Sequence, residues 1–147
     1  MKQKILEYYK QLVQDRIDVY KDMIESLSSD AQNDAKSSAG DKHETALSMM
    51  HLEQEKLNFK LSEAIEQLQI LHTIDSSKTT TKVTFGSLVK VNDLTLFISV
   101  ALPKIVIEGV TVFAVSPESP LSKQLINNTV GFSFNFNNKE YFISYIE

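Results

Sequence analysis

Between Ile5 and Leu27 the apolar positions Leu6, Tyr9, Val13, Ile17, Tyr20, Ile24 and Leu27 recur at intervals of three and four residues. This is the spacing of one helix face, close to the a/d seam of a coiled coil. No Gly or Pro interrupts it, and Ile5, Leu12, Val19 and Met23 widen the stripe. A second seam follows at Leu47, Met50, Leu57, Leu61, Ala64, Leu68 and Leu71, broken only where Gln54 stands. A single helix cannot bury such a stripe, so two seams of similar length with a short connection predict an antiparallel coiled-coil hairpin over residues 1–75. Two arms of a larger bundle completed by a partner chain fit the same pattern. Taken to Ser37, the first helix would be about 50 Å long at about 1.5 Å per residue.

After His72 the helical period fades. Residues 76–81, Ser-Ser-Lys-Thr-Thr-Thr, form a polar stretch without periodicity and are taken as a linker. Beyond it the pattern becomes that of strands, short, β-branched or aromatic, and bounded by Gly, Pro, Asn or Asp. Strands are expected at Lys82–Phe85, Leu88–Val91, Leu94–Val100, Ile105–Ile107, Val110–Val115, Phe132–Phe136 and Tyr141–Ile146, with a hairpin turn at Asn137-Asn138. Ser119 followed by Pro120 signals the start of one short helix reaching Ile126, which should plug one face of a small, bent sheet. Residues 82–147 are then a small β domain whose core rests largely on Phe132, Phe134, Phe136, Tyr141 and Ile143. The expected class is α+β.

Composition narrows the function. The net charge is −4, and the acid is local: residues 1–75 hold fourteen Asp and Glu against nine Lys and Arg, while residues 76–147 hold five against six. A free-standing nucleic-acid binder needs clustered Lys and Arg, which this distribution lacks. The absence of cysteine excludes a disulfide framework or a thiolate site. No run approaches the roughly 18 apolar residues of a membrane span, and Met1–Lys10 has no apolar core of a signal peptide. A soluble, cytoplasmic, monomeric protein with no membrane partner is the expectation.

Between the two seams lies a small, polar stretch that ends in Gly40-Asp41-Lys42-His43-Glu44-Thr45-Ala46. Gly40 suits the residue after a helix C-terminus, and Asp41 with Glu44 suits a capping box opening the next helix. Capping alone accounts for both acids, at about 1 kcal/mol. Asp30 and Asp34 are harder to explain. They form a like-charged pair four residues apart near the C-terminal end of helix one, where the macrodipole disfavours anions. Convergence of Asp30, Asp34, Asp41 and Glu44 near the tip, within residues 30–46, reads either as a site for a cation or a basic surface, or as a solvated end where repulsion is screened. His43 and His51 are eight residues apart, which is not the spacing of a helical metal pair. Tyr8, Tyr9 and Tyr20 are read as core or seam residues.

With the acidic tip, Gly86-Ser87-Leu88-Val89-Lys90-Val91 opening the β region, and Ser119-Pro120-Leu121 with Leu125 and Gly131, the chain resembles the Gre family of bacterial transcript-cleavage and elongation factors. The order and spacing agree over nearly the whole chain. The resemblance implies a coiled-coil hairpin that enters the secondary channel of bacterial RNA polymerase and an FKBP-like domain that docks at its rim. It implies that Asp41 and Glu44 help to hold a Mg²⁺ shared with the polymerase active site; Asp30 and Asp34 are candidate tip acids on their position in the sequence alone. Ser119, Pro120 and Leu121 fall on the docking domain. The chain would not be an enzyme itself; the polymerase would cleave backtracked RNA, so the nascent RNA 3′ end is an indirect partner. Thr45-Ala46-Leu47-Ser48 departs from the family's Asn, Ala, acid, Tyr, so a channel binder that inhibits or modulates without cleavage is the second expectation. An adaptor or oligomerisation coiled coil is the third.

Overall fold

The computed structural model describes the backbone of residues 1–37 and 41–147, and the side chains outside 31–43. Two helices, α1 (Lys2–Ser37) and α2 (Asp41–His72), precede six strands: β1 (Leu88–Val91), β2 (Leu94–Ile98), β3 (Leu102–Ile107), β4 (Val110–Val115), β5 (Ser133–Phe136) and β6 (Lys139–Ile146). One short helix, α3 (Pro120–Leu125), lies between β4 and β5. The chain is α+β. Among the described residues no helix is long and apolar enough to cross a membrane.

The contacts divide the chain into two compact units, one of Gln11–Leu68 and one joining Met1–Lys10 to Gln69–Glu147. The boundary therefore differs from the linear division at residues 76–81. Ile5, Leu6 and Tyr9 are buried, as are Leu71 and Ile74, so the first turns of α1 and the last turn of α2 belong with the strands. In the Gln11–Leu68 unit the seam is legible in the burial. Val13, Ile17, Leu57 and Ala64 are buried, and Tyr20, Ile24, Leu27, Leu47, Met50, Leu61 and Leu68 are half-buried. Gln54, at the broken seam position, is also half-buried.

The strands form one mixed sheet in the order β3-β4-β2-β1-β6-β5, in which β2 and β4 run parallel and every other pair is antiparallel. Alternation along the strands gives the sheet two buried faces. On one, Val89, Val91, Leu96, Ile98 and Ile143 form an aliphatic core with Val83 and with Leu125 of α3. On the other, Leu88 pairs across from Phe97, which in turn pairs with Ala114, and all three are buried. Tyr9 closes this second face. Its ring stacks on Phe97 with centroids 6.2 Å apart, and its hydroxyl donates to the Pro103 carbonyl at 2.9 Å.

Several strand expectations need correction. Lys82–Phe85 is not a strand: it makes one isolated bridge, Lys82 to Thr129, and Gly86 then turns the chain at φ +88°. Val83 is nonetheless fully buried, its N–H donating to the Asn128 carbonyl and its own carbonyl accepting from Asn127. Its β-branched side chain marks burial in the core and not ladder pairing. The aromatic core also proves aliphatic. Ile143 is buried, but Phe134, Phe136 and Tyr141 are half-buried and Phe132 is exposed. Phe132, Phe134 and Tyr141 stack in turn, with Phe134 and Tyr141 centroids 5.4 Å apart, and Phe136 meets Tyr141 edge-on. β2 stops at Ile98, and β3 begins three residues before the expected Ile105 and contains Pro103. Proline is tolerated there because β3 is an edge strand with a register irregularity between Leu102 and Ile105. The Asn137-Asn138 turn is as expected, both residues at positive φ and Phe136 paired with Lys139.

Candidate functional site

The acidic residues singled out by the sequence fall at two places. α1 ends at Ser37 and α2 starts at Asp41, so Asp41 and Glu44 both lie in the first turn of α2. Glu44 is exposed, and a carboxylate in the first helical turn is favoured by the partial positive charge of the helix N-terminus. The side chains of Asp34, Asp41 and His43 lie outside the described residues, as does Gly40 and its expected role at the helix end. Asp30 is exposed and stands with a different set of neighbours. It lines a cavity of about 400 Å³ together with Glu53 and Leu57 of α2 and with Val19, Asp22, Met23, Ser26 and Leu27 of α1. α1 and α2 therefore run side by side at this level. The structure thus places Asp30 beside Glu53, nine residues beyond Glu44.

This groove was only half legible in the sequence. Val19 and Met23 stand out there as residues widening the apolar stripe, but the acids around them are scattered over α1 and α2. Elsewhere on α2, Met49, Leu52 and Phe59 are exposed, Phe59 at 72%.

The residues assigned to docking have local structural tasks. Ser119 caps α3, its hydroxyl accepting from the Ser122 N–H at 3.3 Å and donating to the Ser122 hydroxyl at 2.7 Å. Pro120 occupies the first helical position, where its missing N–H is harmless. Leu121 packs against the aliphatic core. Of the three, Pro120 is exposed and Ser119 and Leu121 are half-buried.

The sequence also gave no sign of a polar anchor at the start of α1. Lys2 is buried, and its ammonium donates to the Lys78 carbonyl at 2.8 Å and to the Glu147 carbonyl at 3.3 Å. Burial lowers its pKa, against the opposing pull of Glu147 and Asp75. Lys4 pairs with Glu108 at the surface, which raises the lysine's pKa and lowers the carboxylate's. Burial pushes the Tyr9 phenol up to about 12. These groups tie the first turns of α1 to Lys78, Pro103, Glu108 and Glu147.

Among the described residues no three His, Asp or Glu converge on a metal-binding geometry, and His51 is exposed on α2. No family model matches the chain, and no curated protein matches it.

Proposed function

We propose that this chain is a Gre-like accessory factor of bacterial RNA polymerase, in which α1 and α2 form an antiparallel coiled-coil hairpin and the strand-rich unit is an FKBP-like docking domain. The observation that carries the reading is the position of Asp41 and Glu44: they open α2 four residues after α1 ends, with Glu44 exposed. Two long helices in succession, seams buried along both, and a sheet unit with a Ser119-capped helix agree with it. The acids would enter the secondary channel and present carboxylates to a Mg²⁺ shared with the polymerase. Mg²⁺ takes one or two carboxylates from a protein and fills its remaining positions with water and phosphate oxygens, so two acids suffice. When bound, such an ion activates water for in-line phosphodiester hydrolysis. This chain's own residues orient and neutralise; the polymerase would cut its backtracked RNA.

A purified backtracked elongation complex given this protein and Mg²⁺ should release the RNA 3′ fragment. Asp41→Ala with Glu44→Ala should reduce release about a hundredfold or more, the scale of losing charge stabilisation in a reaction centre, while polymerase binding persists. Unchanged release by the double variant would overturn the assignment. A second reading is favoured by residues 45–48, where Leu47 is half-buried at a position at which the family carries an acid. In that reading the hairpin occupies the channel without cleavage. Competition with a known channel-binding factor in the absence of any RNA release would select it.

A further inference from the structure

The polymerase reading leaves unused the groove between α1 and α2. Its lining includes the apolar Val19, Met23 and Leu57 and the acidic Asp22, Asp30 and Glu53. Val19 is 53% and Met23 47% exposed, although both lie on the inner flank of a seam whose members are buried or half-buried. Scattered exposed apolar residues need no explanation, but these two sit one turn apart in a single concavity whose lining, among the described residues, holds three acids and no base. Glu53 is paired only loosely with Lys56, at 3.5 Å between two largely exposed side chains, a contact that an incoming cation can replace. The charge of the whole unit has the same sign. Residues 11–68 hold twelve Asp and Glu against six Lys and Arg, a net −6, whereas the rest of the chain holds seven against nine, a net +2.

We propose that this groove docks a basic amphipathic helix of a partner protein. Apolar side chains one turn apart on that helix seat against Val19, Met23 and Leu57, and flanking Lys or Arg meet Asp22, Asp30 and Glu53. This is the helix-in-groove mode, in which apolar anchors supply affinity and the charged rim supplies orientation and rate of encounter. Charge complementarity selects this occupant over a second copy of the chain. Groove-to-groove pairing would set three acids against three acids, and the chain has no basic helix to offer. α1 carries seven acids to six bases and α2 six to three, while α3 has six residues and a single lysine. The proposal does not rest on the polymerase reading, since it uses neither Asp41 nor Glu44.

The test titrates the full chain with fluorescent peptides of about 18 residues, long enough for four to five helical turns. One carries Leu at i, i+3, i+4 and i+7 flanked by Lys and Arg, the second has the same composition scrambled, and the third keeps the pattern with Glu in place of the bases. The basic amphipathic peptide should bind at least about tenfold more tightly than either control, and more weakly as salt rises. Val19→Ser with Met23→Ser should weaken it about tenfold or more, and Asp22→Lys with Glu53→Lys should transfer the preference to the acidic peptide. That gain of binding cannot come from misfolding. Absence of binding, equal binding of the scrambled peptide, or binding indifferent to both double variants would overturn the proposal. So would a concentration-dependent dimer in sedimentation that Met23→Ser abolishes, because the occupant would then be a second copy.

Discussion

At Tyr9 burial and hydrogen bonding meet in one side chain with a consequence in pH. The ring lies on Phe97, the hydroxyl donates to the Pro103 carbonyl, and burial pushes the phenol up to about 12, against a smaller pull from the Ala114 backbone. A phenol harder to ionise when folded than when unfolded adds stability that is fully present below its unfolded pKa of about 10 and is lost as pH rises through about 12. A shift of that size corresponds to roughly 2–3 kcal/mol. Lys2 acts in the opposite sense in the same range, because burial lowers its pKa and deprotonation relieves that cost. The difference between wild type and Tyr9→Phe isolates the tyrosine. Urea unfolding should show Tyr9→Phe about 1 kcal/mol less stable near neutrality, from the lost hydroxyl bond, and the two proteins should converge and then cross as pH rises above about 10. Parallel curves throughout would show that the hydroxyl is not desolvated.

At the scale of elements, α3 separates a structural from a docking role for Ser119. Its hydroxyl satisfies the Ser122 N–H and partners the fully buried Ser122 hydroxyl. Ser119→Ala should therefore cost about 1–2 kcal/mol in thermal or urea unfolding, from the lost cap and the orphaned hydroxyl. If capping is its whole task, binding to the proposed polymerase partner should fall no further than the fraction unfolded. The same element shows why parts of the fold were legible in sequence. A Ser-Pro helix start is local chemistry, as is the Asn137-Asn138 turn, and the three-and-four spacing on α1 and α2 reports a buried face directly. Lys82–Phe85 was misread because β-branched residues signal burial whether or not the backbone is paired, and the loop contacts that hold Val83 come from Asn127 and Asn128, some 45 residues away. The rings of β5 and β6 misled for a related reason. Aromatic residues can cover one another at a sheet edge, as Phe132, Phe134 and Tyr141 do, and leave the core to Val, Leu and Ile. The candidate acids were legible as residue types, but Asp30's neighbours depend on which turns of α1 and α2 lie together, which no local signal encodes.

For the whole molecule the decisive point is that one compact unit is discontinuous in sequence. Phe97, Leu88 and Ala114 present an apolar sheet face. Ile5 and Tyr9 are buried from the other end of the chain, and Lys2 and Lys4 fix the same helical turns through the Lys78 and Glu147 carbonyls and through Glu108. A division at residues 76–81 would cut this unit and leave Phe97 without the ring that stacks on it. Burying Tyr9 and Ile5 accounts for several kcal/mol at about 1.5–3 kcal/mol for each large apolar side chain, which is comparable to the whole stability of a small domain. A polypeptide starting at Ser76 should therefore unfold at much lower urea than the intact protein, or show no cooperative transition. Adding a peptide of residues 1–10 in trans should restore part of the loss only at high concentration, because joining two chains costs the association entropy that the continuous protein avoids. Circular dichroism and tyrosine fluorescence during urea unfolding measure both effects. A Ser76–Glu147 fragment as stable as the intact chain would mean that the sheet's second face needs no cover, and that the burial of Tyr9 stabilises α1 alone.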